Sequence, residues 1–246
     1  MKRQLVWVEP NDPLPDSSQA LSAAEGANGL LAAGADLSPA RLIEAYSRGV
    51  FPWFSRGEPV LWWTPDPRMV LHLNEFKISR SFRKTIRSAL KDPDLLITCD
   101  QAFVGVMKAC AAPRHGQAGT WISPPMISAY EALQQQGLAH SLEVRVKGEL
   151  LGGLYCVAIG QMVFGESMFS RQPEASKLAL AALVAWLQQQ GALVIDCQQH
   201  TGHLASLGAR EIGRREFEAH VSTLIQSRAL PWHSTPPGKE SLQAFA

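Results

Sequence analysis

The amino-acid sequence predicts an α+β protein whose main sheet is mixed. Short apolar segments alternate with polar residues and turns between His140 and Phe164, which is the pattern of an antiparallel meander. The meander leads into a long apolar helix over residues 175–190 and then a strand that ends at Gln198. A strand–helix–strand connection is normally a right-handed crossover that makes its two strands parallel. A sheet with both kinds of pairing is mixed.

The composition is that of an ordinary globular protein with enough apolar residues for a core. Of the 246 residues, 46% are hydrophobic and 18% charged, and the formal net charge of +1 leaves any nucleic-acid binding to local clusters of basic residues. The four cysteines have no paired spacing, which indicates reduced thiols. The sequence lacks the apolar core of a signal peptide and any apolar run near the ~20 residues that cross a bilayer. We therefore expect a soluble cytoplasmic protein that does not contact a membrane.

Residues 1–66 are predicted to form a small N-terminal domain. Residues 10–29 are rich in Pro, Ser and Asn and read as a loop. Ser38 then opens a helix with proline in its first turn, and Gly49 ends it, as these residue types prefer. A cluster of five large aromatic residues follows, and the Pro-Asp-Pro turn at residues 65–67 marks the domain edge.

Residues 67–230 are predicted to form a larger domain, and residues 231–246, rich in Pro, Ser and Gly, a disordered tail. Besides the meander and the crossover, five further helices are expected in the larger domain. They are residues 79–91 with Ser79 as the cap, 100–111 with Asp100 as the cap, 123–136 opened by Ser123 and ended by Gly137, a short one at 204–207, and 214–226.

The predicted helix 79–91 carries one strongly basic face. Its cations recur at spacings of three and four, opposite Phe82 and Ile86, and no acid on the same stripe pairs with them. A charged helix face is usually just solvated, but uncompensated cations on one face also suit phosphates. We predict that the phosphate-binding residues are Arg80, Arg83, Lys84 and Arg87, with Lys91 on the same stripe.

Polar side chains stand where the two parallel strands are predicted to end. Glu166 follows the first strand, while Asp196 and Gln198 end the second. Sites in open α/β sheets form beyond the carboxyl ends of such strands, so we expect the three side chains to converge on one rim. The simpler interpretation of Glu166 is a loop acid that caps the following helix. The rim predicts a reactive site without a nucleophile triad.

Nine short segments, in consistent order from about residue 28 to residue 217, match one known family. They are Asn28-Gly-Leu-Leu31, Gly34-Ala-Asp-Leu-Ser38, Phe51-Pro-Trp-Phe54, Trp62-Trp63 with Pro65-Asp-Pro-Arg68, Gly119-Thr-Trp-Ile122, Gly165-Glu-Ser-Met-Phe-Ser170, Ala175-Ser-Lys177, Asp196-Cys-Gln198 and Ser206-Leu-Gly-Ala209. With these segments the chain resembles the leucyl/phenylalanyl-tRNA–protein transferase family. The resemblance implies a GNAT-like acyltransferase fold for the larger domain. It also implies transfer of Leu or Phe, and Met less well, from aminoacyl-tRNA to proteins with N-terminal Arg or Lys, which marks them for N-degron degradation.

The resemblance also implies roles for the polar rim. In the family, the positions that match Asp196 and Gln198 orient and deprotonate the acceptor's α-amine. Because a neutral amide is a poor base, we interpret Gln198 as an orienting acceptor and leave the final proton acceptor open. Glu166 would contact the cationic amine or the basic acceptor residue. An α-amine has a pKa of ~7.7–8.0 and is partly neutral in the cytosol, and the ester is an activated acyl donor. Positioning and oxyanion stabilisation can therefore carry most of the rate, without a cofactor.

Two further groups of residues are implied by the same resemblance. Trp53 and Trp121 match positions at the terminal adenosine of tRNA, and an indole face suits an unstacked base. An apolar slot would hold the donor side chain, although its residues would otherwise be interpreted as core. The slot residues are Leu154, Val163, Met168, Leu183, Leu187 and Ile195.

The main alternative is a CoA-dependent N-acetyltransferase of the same fold. That chemistry needs a Gly-rich turn before the crossover helix to hold a pyrophosphate, and residues 170–176 contain no Gly and one Pro. A non-catalytic tRNA-binding module would leave the polar rim without a role. Cys197, His200 and His203 have the side chains of metal ligands, but no fourth ligand has a suitable spacing, so we expect no metal. Cys197 as a nucleophile would need a partner that stabilises its thiolate.

Overall fold

A computed structural model describes residues 5–112 and 120–246. Within these ranges the strands are β1 (Val6–Val8), β2 (Leu30–Gly34), β3 (Phe51–Pro52), β4 (Val60–Trp63), β5 (Arg68–His72), β6 (Leu95–Cys99), β7 (Ala139–Val146), β8 (Glu149–Ile159), β9 (Met162–Ser170), β10 (Val194–Gln198) and β11 (Arg210–Ile212). The α-helices are α1 (Pro39–Ser47), α2 (Arg80–Lys91), α3 (Phe103–Cys110), α4 (Pro124–Gln135), α5 (Ala175–Gln189), α6 (Gly202–Ser206) and α7 (Arg214–Leu224). None of the helices in the described residues is long and apolar enough to cross a membrane.

The strands form two sheets, and the larger one is mixed. The smaller sheet has the order β1-β2-β4-β3, and the larger has the order β11-β5-β10-β9-β8-β7-β6. Strands β6 to β9 form the antiparallel meander, β9 and β10 are parallel, and β5 pairs antiparallel with both β10 and β11. The predicted α+β class, meander and crossover are confirmed. The domain limits around residue 66 stay a prediction.

Helix α5 is the centre of the crossover and is buried nearly all round. Eleven of its 15 residues are buried, as expected of a helix that is apolar on every side. Its apolar residues share a core cluster with Val163 and Ile195 of the sheet and with Trp232 and Leu242 from the end of the chain. The helix therefore lies between the sheet and the C-terminal segment.

Residues 231–246 are packed in the structure and are not disordered as the sequence predicts. Lys239–Phe245 forms a 3-10 helix, and Leu242 is fully buried. The ring of Trp232 stacks on His140 at a centroid distance of 4.0 Å, and Trp186 of α5 donates a hydrogen bond of 2.6 Å to the carbonyl of Thr235. Burial of these apolar side chains stabilises a packed conformation, although the Pro, Ser and Gly content of the segment is typical of a disordered chain.

One predicted helix start is wrong. Asp100 does not cap a helix: α3 begins at Phe103, and Asp100 has a left-handed φ of 57°. Its carboxylate accepts hydrogen bonds from the backbone N–H of Ser141 and from Nδ1 of His140, both at 2.7 Å. Asp100 thus fastens the end of β6 to β7. The other predicted helices begin and end within three residues of their observed limits.

Candidate active site

A β-bulge in β9 presents Glu166. The sequence predicts that this strand ends at Phe164, but β9 continues to Ser170. Gly165 and Ser167 pair with consecutive residues of β8, so Glu166 between them has no partner in that ladder. A bulge bends its strand and re-aims the extra side chain. Glu166 is therefore a bulge residue within a strand, and the alternative of a loop acid capping the next helix is wrong.

A second bulge lies on the neighbouring strand. The β9–β10 ladder covers the pairs Val163–Ile195 and Phe164–Asp196, and the described residues show no further pair between the two strands. The register of β10 against β5 shifts at Cys197. The ladder between the two parallel strands therefore ends after these two pairs, and we call the region between the strand ends beyond Phe164 and Asp196 the gap.

Gly165 stands beside this gap. A Cβ atom placed on Gly165 would lie 3.3 Å from the carbonyl oxygen of Asp196 and 3.5 Å from Cγ2 of Ile195. The first distance is tighter than an ordinary van der Waals contact, so a side chain here would press on β10. Glycine therefore permits the close approach of β9 to β10 at the edge of the gap.

Three side chains from three elements meet at the carboxylate of Glu166. Its Oε1 accepts hydrogen bonds from the hydroxyl of Tyr46 on α1 at 2.7 Å and from Nε2 of Gln198 at 2.9 Å. Its Oε2 lies 3.2 Å from the hydroxyl of Tyr130 on α4, which also contacts the hydroxyl of Tyr46. Because each hydroxyl has one proton, Tyr130 donates it either to Oε2 or to the Tyr46 oxygen. Because Nε2 of Gln198 faces the carboxylate, the amide oxygen is left as an acceptor for another group.

The surroundings of Glu166 hold its pKa near neutrality. Burial raises the pKa of the carboxyl group to about 7, and the charge of Asp196 acts in the same direction. The hydrogen bonds from Tyr46, Gln198 and Tyr130 oppose this shift. Burial also raises the pKa of both tyrosines well above the usual value, so their hydroxyls keep their protons and act as donors. Glu166 can therefore gain or lose a proton at physiological pH.

Asp196 lies beneath this network in a closed ion pair. Its two carboxylate oxygens accept hydrogen bonds from Nε and Nη2 of Arg68 at 2.8 and 2.6 Å, and neither side chain is exposed. The guanidinium lies 4.8 Å from the ring centroid of Phe51 and 4.3 Å from that of Phe217. Oδ1 of Asp196 also accepts the backbone N–H of Gln198 at 2.8 Å. Asp196 thus holds Gln198, which has a left-handed φ of 62°, in place.

The convergence predicted from the sequence is therefore only partly observed. Glu166 and Gln198 meet at a half-buried rim, whereas Asp196 is fully buried below it. Tyr46, Tyr130 and Arg68 are also parts of the site, and the sequence does not predict them as such. Tyr46 follows the apolar spacing of its helix, so nothing in that pattern separates it from core. Arg68 belongs to the matched segment Pro65-Asp-Pro-Arg68, but the match does not imply a role for it.

The six residues predicted to line a donor slot lie together on the α5 side of the sheet. All six belong to or pack against one apolar cluster. Five are at most 5% exposed, and only Met168 of the six is partly open to solvent. The opposite face of the same strands carries the Glu166 network. The residues are Leu154, Val163, Met168, Leu183, Leu187 and Ile195.

The two tryptophans predicted at the tRNA terminus both keep accessible surface. Trp53, just after β3, is 39% exposed and meets Trp63 edge-on at a centroid distance of 5.5 Å. Trp121, just before α4, is half-buried against the core. Gly119, which belongs to the same matched segment as Trp121, lies outside the described residues.

Helix α2 presents most of its predicted basic face to solvent. Arg80, Lys84 and Arg87 are exposed and form no ion pair with any residue that the structure describes. Arg83 is half-buried and donates a hydrogen bond of 3.1 Å to the carbonyl of Phe245. Three of the four predicted phosphate-binding residues are therefore free for an anion, and the fourth is shared with the C-terminal segment.

The chemistry of three alternatives finds little support around β10 and α5. Burial raises the pKa of the Cys197 thiol well above its usual value, so this cysteine is not a ready nucleophile. Cys197, His200 and His203 do not form a ligand cluster within the described part of the chain. At the start of α5, Ser170 Oγ accepts the backbone N–H of Ser176 at 2.9 Å, so this donor is not free for a phosphate.

Comparison with known proteins gives consistent matches along the chain. A model of the family described as leucyl/phenylalanyl-tRNA protein transferase matches residues 70–222, and a model of its N-terminal domain matches residues 35–66. Relatives named leucyl/phenylalanyl-tRNA–protein transferase from Burkholderia ambifaria (strain MC40-6) and Paraburkholderia phymatum are each 56% identical over 227 residues. The matches cover 92% of this chain and 89% and 93% of the two relatives. Among solved structures, FemX is similar with a TM-score of 0.46 and 14% identity, over 87% of this chain and 79% of FemX.

Proposed function

The chain belongs to the leucyl/phenylalanyl-tRNA–protein transferase family, an aminoacyltransferase family that acts from tRNA onto proteins, and we propose that its acceptors are proteins beginning with Arg or Lys. The donors are the aminoacyl-tRNAs of Leu and Phe, with Met used less well. Transfer marks the acceptor for N-degron degradation. Charged tRNA is a cytoplasmic molecule, so the proposal carries a cytoplasmic location with it.

The observation that carries the proposal for the site is the half-buried carboxylate of Glu166 between Tyr46, Tyr130 and Gln198, where burial raises its pKa to about 7. An acceptor that begins with Arg or Lys brings an α-ammonium group and a cationic side chain to this half-buried acid. The α-amine has an ordinary pKa of ~7.7–8.0, close to that of Glu166, so a proton can pass between them with little change in free energy. Glu166 is therefore the proton acceptor of the proposed reaction.

In the proposed reaction the α-ammonium first loses one proton through Glu166 to solvent, and the neutral α-nitrogen then attacks the ester carbonyl carbon of the charged tRNA. A C–N bond forms, and the proton leaving the nitrogen goes to Glu166. The C–O bond to the ribose then breaks, and Glu166 passes the proton that it took from the nitrogen to the leaving ribose oxygen, which restores the carboxylate. The free amide oxygen of Gln198 accepts a second N–H of the attacking amine and fixes its direction. The reaction needs no cofactor.

Asp196 has a supporting role in this proposal. Both of its carboxylate oxygens are engaged by the buried guanidinium of Arg68, so neither faces the acceptor amine. Its contact with the backbone N–H of Gln198 gives it a positioning role instead. Asp196 and Gln198 keep the orienting role that the family resemblance implies, and we assign the deprotonation of the amine to Glu166.

The gap between β9 and β10 would hold the ester carbonyl, with the acceptor amine on one face of the sheet and the donor side chain on the other. The Glu166 network lies on one face, where the acceptor amine would approach. The apolar slot lies on the α5 face, where the donor side chain would enter past Met168. The reacting carbonyl would then sit beside Gly165. Trp53 and Trp121 would contact the terminal adenosine, and the basic face of α2 the tRNA phosphates.

The proposal is tested with charged Leu-tRNA and Phe-tRNA as donors and two peptides that differ only in their first residue. We expect transfer to the peptide that begins with Arg and none to the peptide that begins with Asp. Acetyl-CoA serves as a competing donor, and acetyl transfer without aminoacyl transfer would favour an N-acetyltransferase. Equal transfer to both peptides would contradict the proposed acceptor specificity.

A further inference from the structure

Strand β5 and helix α7 face each other along two successive side-chain contacts. Arg68, at the start of β5, lies under the ring of Phe217. His72, four residues on and on the same face of the strand, meets His220, three residues beyond Phe217, with ring centroids 5.6 Å apart. The helix therefore runs along the strand and brings two imidazoles together where β5 ends.

A carboxylate completes a three-membered cluster at this end of β5. Glu216 is one helical turn before His220 on α7, so the two side chains share a face of the helix. The possible ligand atoms of His72, Glu216 and His220 all lie within 4.8 Å of one another. Residues from a strand and from a helix that begins 142 positions after His72 thus converge on one point.

The three side chains have no other evident use. Nε2 of His72 is buried and lacks a hydrogen-bond partner among the described residues. Glu216 and His220 form no hydrogen bond or ion pair with the part of the chain that the structure describes. Arg210, the nearby cation, is paired with Glu75 at an Nε–Oε2 distance of 3.0 Å and so does not neutralise Glu216. A buried nitrogen without a partner is unfavourable and calls for a ligand.

We propose that His72, Glu216 and His220 bind a divalent transition-metal ion of the Zn²⁺ type. Two imidazole nitrogens and one carboxylate oxygen are ligands that Zn²⁺ accepts in tetrahedral sites, with a fourth position left to water. Bonds of ~2.0–2.1 Å place neighbouring ligand atoms of such a site about 3.4 Å apart. Small rotations of the exposed Glu216 and the half-buried His220 close the cluster to that size. Mg²⁺ and Ca²⁺ prefer all-oxygen sites and fit poorly.

The ion would act on the fold and not on the aminoacyl group. It joins α7 to the end of β5, and the same helix carries the Phe217 ring that covers Arg68. Holding α7 against the sheet therefore protects the closed ion pair beneath the transfer site. This inference is independent of which acceptor or donor the enzyme uses.

The test measures Zn²⁺ binding to the full chain after treatment with a chelator, by calorimetry and by the midpoint of thermal unfolding. We expect one saturable site and a rise of the midpoint with Zn²⁺ but not with Mg²⁺. Glu216→Gln and His220→Gln change half-buried or exposed side chains, so folding should persist, and each should weaken Zn²⁺ binding at least about tenfold. His200→Gln with His203→Gln, which removes two other exposed histidines, should leave the affinity unchanged. Absence of saturable binding, or an unchanged affinity in both cluster variants, would overturn the proposal.

Discussion

The carboxylate of Asp196 and the guanidinium of Arg68 form a two-point ion pair that is sealed from solvent, with donor–acceptor distances of 2.8 and 2.6 Å. Both oxygens of the aspartate are engaged within the protein, and one also holds the backbone of Gln198. Asp196 is thus directed towards the core, and Glu166 on the adjacent strand is directed towards the gap.

Breaking this pair should damage stability before it damages chemistry. Asp196→Asn leaves Arg68 as a buried charge without its partner, and removal of one member of a buried pair costs about 3–5 kcal/mol of unfolding free energy. The double variant Arg68→Met/Asp196→Leu should be more stable than Asp196→Asn alone. Urea unfolding measures both. A fully stable but inactive Asp196→Asn protein would instead assign the aspartate a direct catalytic role.

The rate of transfer should rise with pH through about 7 as Glu166 ionises. Glu166→Gln removes the proton acceptor, so turnover should fall by about 10²–10⁴-fold, and the rise with pH that remains should be set by the acceptor's α-amine, whose pKa is ~7.7–8.0. Single-turnover rates at saturating acceptor across pH 5.5–9, roughly the range around that pKa, give the profile. Glu149→Gln, an exposed acid on the neighbouring strand, is the matched control and should keep the wild-type profile.

The contribution of Glu166 to the free energy of unfolding should fall as pH rises, whereas the transfer rate rises. Because the folded-state pKa of Glu166 is raised from 4.5 to about 7, the native protein holds its proton more tightly than the unfolded chain. Wild-type stability relative to Glu166→Gln is therefore highest at acid pH and falls as pH rises through this window, by roughly 1–3 kcal/mol. Urea unfolding at pH 5 and pH 8 compares the two proteins. A gap that widens in favour of wild type at pH 8 would contradict the raised pKa.

Tyr46 and Tyr130 should set the pH at which the enzyme works. Their hydroxyls lower the pKa of Glu166, so Tyr46→Phe or Tyr130→Phe should move the rising limb to higher pH. Activity that is missing at pH 7 should return at more alkaline pH, which a merely destabilised site would not show. Tyr155→Phe is the control, because its buried hydroxyl has no partner among the described residues although its ring packs on Tyr130 at 5.8 Å. It should leave the profile in place.

Removing the exposed charges of α2 should weaken tRNA binding. Arg80→Ala, Lys84→Ala and Arg87→Ala together should raise the KM for charged tRNA and lower its salt dependence by ~0.7–0.9 for each phosphate that the protein no longer neutralises. Folding should persist because the buried side of α2 is formed by Phe82, Ile86 and Ala89.

A control that removes the same amount of charge uses three exposed cations on other elements, Lys108, Lys147 and Arg228. If this control and the α2 variant changed the salt slope equally, binding would depend on overall charge and not on this helix. Arg83→Ala should have a mixed effect, because Arg83 also holds the carbonyl of Phe245.

Donor preference should depend on Val163, which is fully buried among the slot residues. Val163→Ala enlarges the slot and should raise the kcat/KM for Phe relative to Leu by about tenfold, since one methylene in such pockets is worth ~1–3 kcal/mol. Gln198→Ala should lower turnover for both donors alike, because it acts on the amine. An unchanged Phe-to-Leu ratio in Val163→Ala would show that these six residues are core and not a slot.

The sequence identifies the parallel strands and their helix because apolar runs, a glycine stop and strand length are local signals. It does not identify the bulges at Glu166 and Cys197, since a single extra residue changes which face a side chain takes without changing the composition. The sequence does not predict the roles of Tyr46 and Tyr130 either, because these depend on contacts with Glu166 across 120 and 36 residues. The composition of the C-terminal segment predicts disorder because it does not show that the few apolar residues of the segment pack on the surface of α5.

The hydrogen bonds around Glu166 join parts of the chain that are far apart in sequence, and this has a consequence for how the protein acquires activity. Long-range contacts form late in folding because the entropy of closing large loops opposes them until most of the chain is in place. The helices and the local meander can be complete while the carboxylate still lacks Tyr46. Catalytic activity is then the last property to appear during refolding, and it reports the final docking step more sensitively than helix content does.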